Sequence, residues 1–135
     1  MAFHFGHIHL LSLDPDAAAA FYCEHFGARI ARRYPAMAGA LNLCLKLGHL
    51  SLYIRGVRPT DRMAAPCDGK HPGMDHFGLD VDDFDAVIER LAKANVPCLD
   101  GPWNLVGYRV AFFQCPDNVV VQISEMIDGH RPSEP

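Results

Sequence analysis

A segment near the start of the chain recurs 69 residues further along. When the chain is shifted by that distance without a gap, identical residues coincide at five places within about 24 positions: His7 and His76, Leu10 and Leu79, Asp14 and Asp83, Asp16 and Asp85, and Ala17 and Ala86. The patterns that predict strands and helices fall into the same register. Because each copy is longer than a solenoid repeat, we expect two copies of one larger folding unit.

The first copy opens as a strand and continues as a helix. Residues 7–12 alternate between two side-chain faces, as the period of a strand requires. Residues 14–16 (Asp-Pro-Asp) supply the N-cap, the first-turn proline and the acid that favour a helix start. An apolar stripe follows at Phe21, Tyr22 and Phe26. Gly27 is placed to end the helix.

The second copy repeats this pattern. Residues 76–81 alternate as a strand, and Asp82 and Asp83 precede a second helix. Its apolar stripe contains Phe84, Val87, Ile88 and Leu91. Asn95 and Pro97 mark its end.

Three strand-like runs follow each helix. They cover residues 28–34, 39–47 and 49–55 in the first copy, and 96–101, 107–115 and 118–125 in the second. Each copy is therefore predicted to be a βαβββ module. The rival interpretation, one ferredoxin-like domain with a spare hairpin, accounts for the strands but not for the repeated spacing from His to Asp.

The chain is long enough for one domain with a substantial core. We expect module one at about residues 3–55, a linker at 56–73, module two at 74–126 and a short tail at 127–135. The linker is rich in proline and glycine and too long for a tight turn, so it is predicted to be a linker or an active-site flap.

Composition and charge exclude several classes of function. The formal net charge is −4 and the longest basic run is Arg32-Arg33, so a nucleic-acid partner is not expected. These arginines and Arg109 are expected to be solvated charges. No apolar stretch approaches the ~20 residues that span a bilayer, and no signal peptide is recognisable, so the expected compartment is the cytosol. The five dispersed cysteines indicate neither a disulfide framework nor a zinc knuckle, and most are expected to be buried.

Three stretches of the sequence resemble the vicinal-oxygen-chelate superfamily. Residues 7–22 and 75–83 resemble the openings of its modules, in which a histidine stands seven residues before the Asp that starts the helix. Residues 115–125 (Cys-Pro-Asp-Asn-Val-Val-Val-Gln-Ile-Ser-Glu) resemble its closing strand. The family includes glyoxalases, fosfomycin and bleomycin resistance proteins, and extradiol dioxygenases. The likeness covers nearly the whole chain.

The resemblance implies a fold and a cofactor. In the family, the strands of both modules form a curved mixed sheet, the cup, with helices outside and a divalent metal ion inside. The metal could be zinc, nickel, manganese or iron. A homodimer is also implied, and many members exchange modules between chains. The predicted fold class is therefore α+β, with two tandem βαβββ modules.

Strand pattern and resemblance together indicate the metal ligands. His7 and His76 stand on the strand faces opposite the apolar residues that should contact the helices, so both are expected inside the cup. The family's next ligand is usually a glutamate in the middle of the last strand, and that position holds Gln122, a weaker neutral oxygen donor. Ser51 is expected at the equivalent position of module one. Glu125 lies on the opposite face of its strand and is expected to be a solvated acid.

Further side chains are expected in the cup. The catalytic candidates are His9, Tyr53 and Tyr108, which could orient an enolate or phenolate and move a proton. The candidates for substrate binding are Tyr53, Tyr108, Phe112 and Ser51. Their alternative role is to form the wall of an apolar pocket.

Two functions are compatible with this sequence. The first is a metal-dependent lyase, isomerase or dioxygenase-like enzyme acting on a small oxygenated substrate. The alternative is a metal-free protein that binds and sequesters a small molecule, as bleomycin resistance proteins do. The glutamine at the third ligand position favours the alternative, and the matched histidine pair favours the enzyme.

Overall fold

The computed structural model describes residues 1–65, 67–105 and 107–127. The chain divides into two compact units, residues 1–65 and 66–135, which contain module one and module two respectively. The predicted tail lies outside the described residues from residue 128 onward.

Module one has the predicted βαβββ order. Its elements are β1 (Ile8–Leu11), α1 (Pro15–Phe26), β2 (Arg29–Met37), β3 (Ala40–Leu47) and β4 (Leu50–Arg55). The strands form one mixed sheet in the order β1-β4-β3-β2. The β1–β4 pair is parallel and the other two pairs are antiparallel.

Module two repeats the same topology. Its elements are β5 (Phe77–Asp80), α2 (Phe84–Lys93), β6 (Cys98–Leu105), β7 (Tyr108–Gln114) and β8 (Val120–Met126), with a short 3₁₀ turn at Pro116–Asn118. The strand order is β5-β8-β7-β6, with β5 parallel to β8. The predicted fold class, two tandem βαβββ modules, is therefore confirmed.

The two helices begin in the same way. The side chain of Asp14 accepts a hydrogen bond from the backbone N–H of Ala17 at 3.1 Å, and that of Asp83 accepts one from Ala86 at 3.0 Å. Gly27 ends α1 in the left-handed conformation, with φ of 74°. No helix in the described part of the chain is long and apolar enough to cross a membrane.

Each sheet buries one face against its helix. In module one the fully buried strand residues include Leu45, Leu52 and Ile54, and in module two they include Phe113, Val121 and Ile123. Their neighbours along each strand point to the other side, which we call the helix-free face. Polar side chains that could bind a ligand are concentrated on the helix-free faces.

The buried stripe of α1 differs from the predicted one. Tyr22 is fully buried as expected, but Phe21 and Phe26 are only half-buried. Ala18 and Ala19 occupy the buried positions instead. Small side chains at these positions allow the helix to pack closely on the sheet, and the larger rings lie at its margin.

The cysteines are less buried than predicted. Cys44 and Cys115 are buried, Cys23 is half-buried, and Cys67 and Cys98 are exposed. All five are free thiols, as their dispersed spacing predicts.

Candidate metal centre

Parallel pairing of β5 with β8 brings His76 to Gln122. Gly78 lies opposite Gln122 in this pairing, and His76 stands immediately before β5. Both side chains lie on the helix-free face of module two. The Nε2 atom of His76 is 3.1 Å from Oε1 of Gln122. Two of the three predicted metal ligands are therefore in direct contact.

The other nitrogen of His76 is held by a carboxylate. Nδ1 lies 2.7 Å from Oδ2 of Asp75, and Lys70 donates a hydrogen bond of 2.7 Å to Oδ1 of the same side chain. These contacts, first with Lys70 and then with His76, hold the pKa of Asp75 below its usual value. Asp75 is therefore an ionised acceptor at neutral pH.

These contacts constrain what can lie beside His76 and Gln122. Because the Asp75 carboxylate only accepts hydrogen bonds, Nδ1 of His76 carries a proton. A neutral ring then has its lone pair at Nε2, facing an amide oxygen that is also an acceptor. A metal ion bound to both atoms, or a second proton on the ring, removes this conflict.

The separation of the two atoms is compatible with a bound metal ion as well as with a hydrogen bond. Two ligand atoms that are each about 2.1 Å from a metal and roughly 95° apart lie ~3.1 Å from each other. Nε2 of His76 and Oε1 of Gln122 have this separation. Among the described residues, no group of three or more His, Cys, Asp or Glu side chains could hold a metal. The predicted ligands that lie in contact are one histidine and one amide.

Ser124 is the hydrogen-bond partner of the Gln122 amide on the side away from His76. The Nε2 group of Gln122 donates a 2.8 Å hydrogen bond to Oγ of Ser124, which is 2% exposed. This leaves the amide oxygen directed at His76. Sequence reasoning did not identify Ser124, although residues two apart on a strand share a face. Asp75 was also missed, despite being adjacent to His76.

Module one places His7 where module two has His76. His7 stands immediately before β1, and its exposed ring lies edge-on to Tyr53 with 4.8 Å between ring centroids. The pairing of β1 with β4 sets Ile8 opposite Leu52 and His9 opposite Tyr53. Tyr53, and not Ser51 as predicted from strand alternation, is therefore the counterpart of Gln122.

The catalytic candidates of module one form a cluster. The His9 ring lies 5.9 Å from that of His7 and 5.5 Å from that of Tyr53. Burial, and then the neighbouring charges of His7, Arg55 and Arg58, lower the pKa of His9. A hydrogen bond with Cys44 is the main cause that raises the pKa of Tyr53. At neutral pH, His9 is thus a neutral base and Tyr53 a protonated donor.

Ser51 is engaged by a neighbouring lysine. The Nζ group of Lys46 donates a hydrogen bond of 2.5 Å to Oγ of Ser51, across the β3–β4 pair. The hydroxyl of Ser51, which was predicted to bind substrate, therefore lies beside the positive charge of Lys46.

The two remaining candidates lie far apart on β7. Phe112 is paired with Gln122, and its ring is edge-on to that of His76 at 5.0 Å. Tyr108 is paired with Met126. It lies four residues before Phe112 on β7, a distance of roughly 13 Å along the strand. Phe112 is thus part of the wall around His76, and Tyr108 lies well away from it.

Glu125 faces away from Gln122, as predicted. It is paired with Arg109, whose guanidinium lies 3.9 Å from its carboxylate. The same guanidinium donates a 2.6 Å hydrogen bond to Asp85 and stacks over the Phe84 ring at 4.8 Å. Arg109 is therefore a partly exposed charge that also links sheet and helix.

An open cleft of about 370 Å³ lies within the second compact unit, close to His76. One side of the cleft is formed by the segment before β5 and includes Lys70, His71 and Asp75. The other side is formed by residues of the sheet such as Gln114 and Val120. None of the predicted site residues lines this cleft. Asp75 is the residue that borders both the cleft and His76.

Comparison with solved structures supports the same fold. A glyoxalase/bleomycin resistance protein/dioxygenase domain from Frankia sp. EAN1pec superposes with a TM-score of 0.78 at 24% identity, covering 96% of both chains. A glyoxalase family protein from Enterococcus faecalis gives a TM-score of 0.73 at 22% identity, covering 90% of this chain and 97% of that one. The fosfomycin resistance protein FosX from Listeria monocytogenes, solved with Mn(II) and sulfate, gives a TM-score of 0.68 at 16% identity and 93% coverage of both. At these identities the likeness shows the fold alone.

Sequence comparison identifies the family. No curated protein matches the chain. The family model described as the glyoxalase/bleomycin resistance protein/dioxygenase superfamily matches residues 4–123. The chain therefore belongs to this superfamily, the vicinal-oxygen-chelate proteins, as its repeated module openings indicate.

Proposed function

We propose that the chain is a metal-dependent enzyme acting on a small oxygenated substrate. His76 and Gln122 hold the divalent metal ion, and His7 is the further ligand that the sequence predicts. The observation that carries this proposal is the 3.1 Å approach of Nε2 of His76 to Oε1 of Gln122, two acceptors that a cation reconciles.

The composition of this ligand set favours an anionic substrate. Two imidazoles and an amide are all neutral, so they leave the double charge of the ion uncompensated. Negatively charged oxygens of a substrate would compensate it, and the bound metal supplies Lewis-acid stabilisation of charge that develops on them. Lyase, isomerase and dioxygenase-like reactions all require such stabilisation.

Charges in module one support the same substrate class. Lys46 and Arg32 lie on the helix-free face of its sheet, in the pairing rows of Ser51 and Tyr53. Arg29 is paired with Lys46, and these rows hold three cations and no acidic residue, which makes this face attractive to an anion.

Proton handling falls to His9 and Tyr53. The lowered pKa of His9 keeps the ring neutral and able to accept a proton. The raised pKa of Tyr53 keeps its phenol protonated, so Tyr53 donates a hydrogen bond to substrate oxygen. Phe112 forms an apolar wall beside His76. Tyr108 contacts a distal part of the substrate.

Titration calorimetry with metal salts tests the proposal. Protein purified without a polyhistidine tag is stripped of metal and titrated with Mn²⁺, Zn²⁺, Ni²⁺ and Fe²⁺. Mn²⁺ comes first because the FosX structure contains it. We expect weak binding to wild type and tighter binding to Gln122→Glu. Absence of affinity in both proteins would reject the metal site.

The alternative is a metal-free protein that sequesters a small molecule. One arrangement of the same residues favours it: if the Gln122 amide is turned end for end, its NH₂ group donates to His76 and the Ser124 hydroxyl donates to its oxygen. All three groups are then satisfied without a cation. Failure of all four metals to bind either protein would select this function.

We also propose that the protein is a homodimer with two sites. Single-domain members of the family commonly pair, and the long connection between the modules permits exchange of modules. Sedimentation equilibrium at micromolar concentration is expected to give twice the 14.9 kDa mass of one chain. A mass of one chain would reject the dimer.

A further inference from the structure

We propose that Asp75 is a positioning residue, which fixes the tautomer of His76 so that the Nε2 lone pair is directed at the metal. This inference rests on the proposed metal site. Asp75 is not among the predicted ligands or catalytic candidates. The property that it would control, the tautomer of His76, can be measured in protein without metal.

The contacts of Asp75 give each carboxylate oxygen a separate role. Oδ1 accepts a hydrogen bond from Nζ of Lys70, and Oδ2 lies 2.7 Å from Nδ1 of His76. With Lys70 on Oδ1, the carboxylate is held with Oδ2 toward the ring. A metal-binding histidine commonly donates its other N–H to a carboxylate, which orients the ring and raises its basicity as a ligand.

A purely stabilising role does not account for this arrangement. The side chains of Lys70 and Asp75 are 81% and 51% exposed. Ion pairs at such exposed positions contribute little to the free energy of unfolding. The consequence of the contact is therefore the orientation and protonation of the His76 ring.

The repeat supplies an internal comparison. Shifting by 69 residues places Gly6 where module two has Asp75. The residue before His7 therefore has no side chain that could accept a hydrogen bond from Nδ1 of His7. A Cβ atom added at Gly6 would meet nothing within 4 Å. Gly6→Asp therefore introduces a carboxylate beside His7 without a steric conflict. It is a matched control for changes at Asp75.

The test is ¹⁵N NMR of the imidazole rings in metal-free protein at pH 8, where histidine rings are ordinarily neutral. For wild type we expect His76 with the proton on Nδ1 and a bare Nε2. In Asp75→Ala the proton should move to Nε2, whereas Asp75→Asn, whose amide oxygen still accepts, should retain the wild-type tautomer. Gly6→Asp should leave His76 unchanged. A wild-type ring with its proton on Nε2, or an unchanged tautomer in Asp75→Ala, would overturn the proposal.

Metal affinity is the second readout. We expect Asp75→Ala to weaken binding by roughly 10–100-fold, the usual effect of losing such a partner. The urea midpoint of this variant should match wild type, which separates positioning from stability. If wild type binds no metal, the proposed function fails while the tautomer result still decides the role of Asp75. Undiminished affinity in Asp75→Ala would overturn the positioning role while leaving the metal site intact.

Discussion

Modules one and two share a fold but surround their equivalent histidines differently. In both, a histidine precedes the first strand and an Asp caps the helix seven residues later. His7 has an aromatic ring, Tyr53, as its neighbour on the parallel strand, and His76 has Gln122. The repeat thus preserves the residues that specify strands and helices. The residues that determine chemistry have diverged.

The helix-free faces of the two sheets differ in the same way. That of module one carries cations, including Lys46 and Arg32, and the titratable cluster around His9. That of module two carries aromatic rings, with Phe112 against His76 and Trp103 beyond it. Under the proposed function, this difference places metal binding mainly on module two, and attraction of charge and proton transfer mainly on module one.

The largest expected effect is the loss of metal binding in His76→Ala. Only one histidine and one amide would remain, too few to hold a divalent ion. His7→Ala keeps the contacting pair His76 and Gln122, so we expect weakened but measurable binding. Calorimetric titration of both variants compares the modules directly. Equal losses would show that the modules contribute equally, and wild-type affinity in His76→Ala would contradict the metal site.

Gln122→Glu is expected to tighten metal binding by about tenfold or more, equivalent to at least ~1.4 kcal/mol. A carboxylate replaces a neutral amide at the same reach and compensates part of the charge of the ion. Tyr53→Phe changes the equivalent position of module one and serves as the matched control. It should leave metal affinity within about twofold, because a protonated phenol is a poor ligand. Tighter binding in neither variant would contradict Gln122 as a ligand, and tighter binding in Tyr53→Phe alone would reverse the assignment of the modules.

Strand and helix positions could be predicted because short local signals mark them. Asp14 and Asp83 cap their helices as predicted, and the predicted strands differ from the observed ones by a few residues at their ends. The partner of each histidine depends instead on the register of two parallel strands that are distant in sequence. Alternation along β4 identifies the correct face for Ser51 and Tyr53 but not which of them is level with His9. The 69-residue shift that defines the repeat, applied to the last strand, would have aligned Tyr53 with Gln122.

The role of Asp75 could not be predicted for a related reason. Adjacent residues of a regular strand point to opposite faces, so a contact between Asp75 and His76 is not expected from the pattern. It forms because both residues precede the first residue of β5, Phe77, where the backbone has not yet entered the strand. Ser124, by contrast, could have been found from its spacing to Gln122.

A smaller effect concerns acid stability. Asp61 in module one accepts hydrogen bonds from Arg55 and from the backbone of Arg58, and these lower its pKa below the usual 3.8. A lowered pKa in the folded state stabilises the protein above the unfolded pKa, and this contribution is lost as pH falls through the folded value. Asp61→Asn should therefore lower the urea midpoint at pH 7, and its difference from wild type should shrink below about pH 4. Asp75→Asn, which changes a more exposed pair, should show a smaller difference at pH 7.

The smallest expected effect is on stability and concerns the ion pair that links helix to sheet in each module. Asp16 and Asp85 are equivalent in the repeat and pair with Arg33 and Arg109 respectively. Arg109 also stacks over an aromatic ring, Phe84. Arg109→Ala should therefore lower the urea midpoint more than Arg33→Ala does. A larger shift for Arg33→Ala would mean that the aromatic contact adds no stability.

The most direct test of the central claim is anomalous diffraction from crystals of tag-free protein soaked in Mn²⁺ or Zn²⁺. We predict an anomalous peak about 2.0–2.2 Å from Nε2 of His76 and at a similar distance from Oε1 of Gln122. The nitrogen of the Gln122 amide should remain hydrogen-bonded to Ser124. A crystal without a peak at this position, in which the amide NH₂ group of Gln122 donates to His76, would contradict the account.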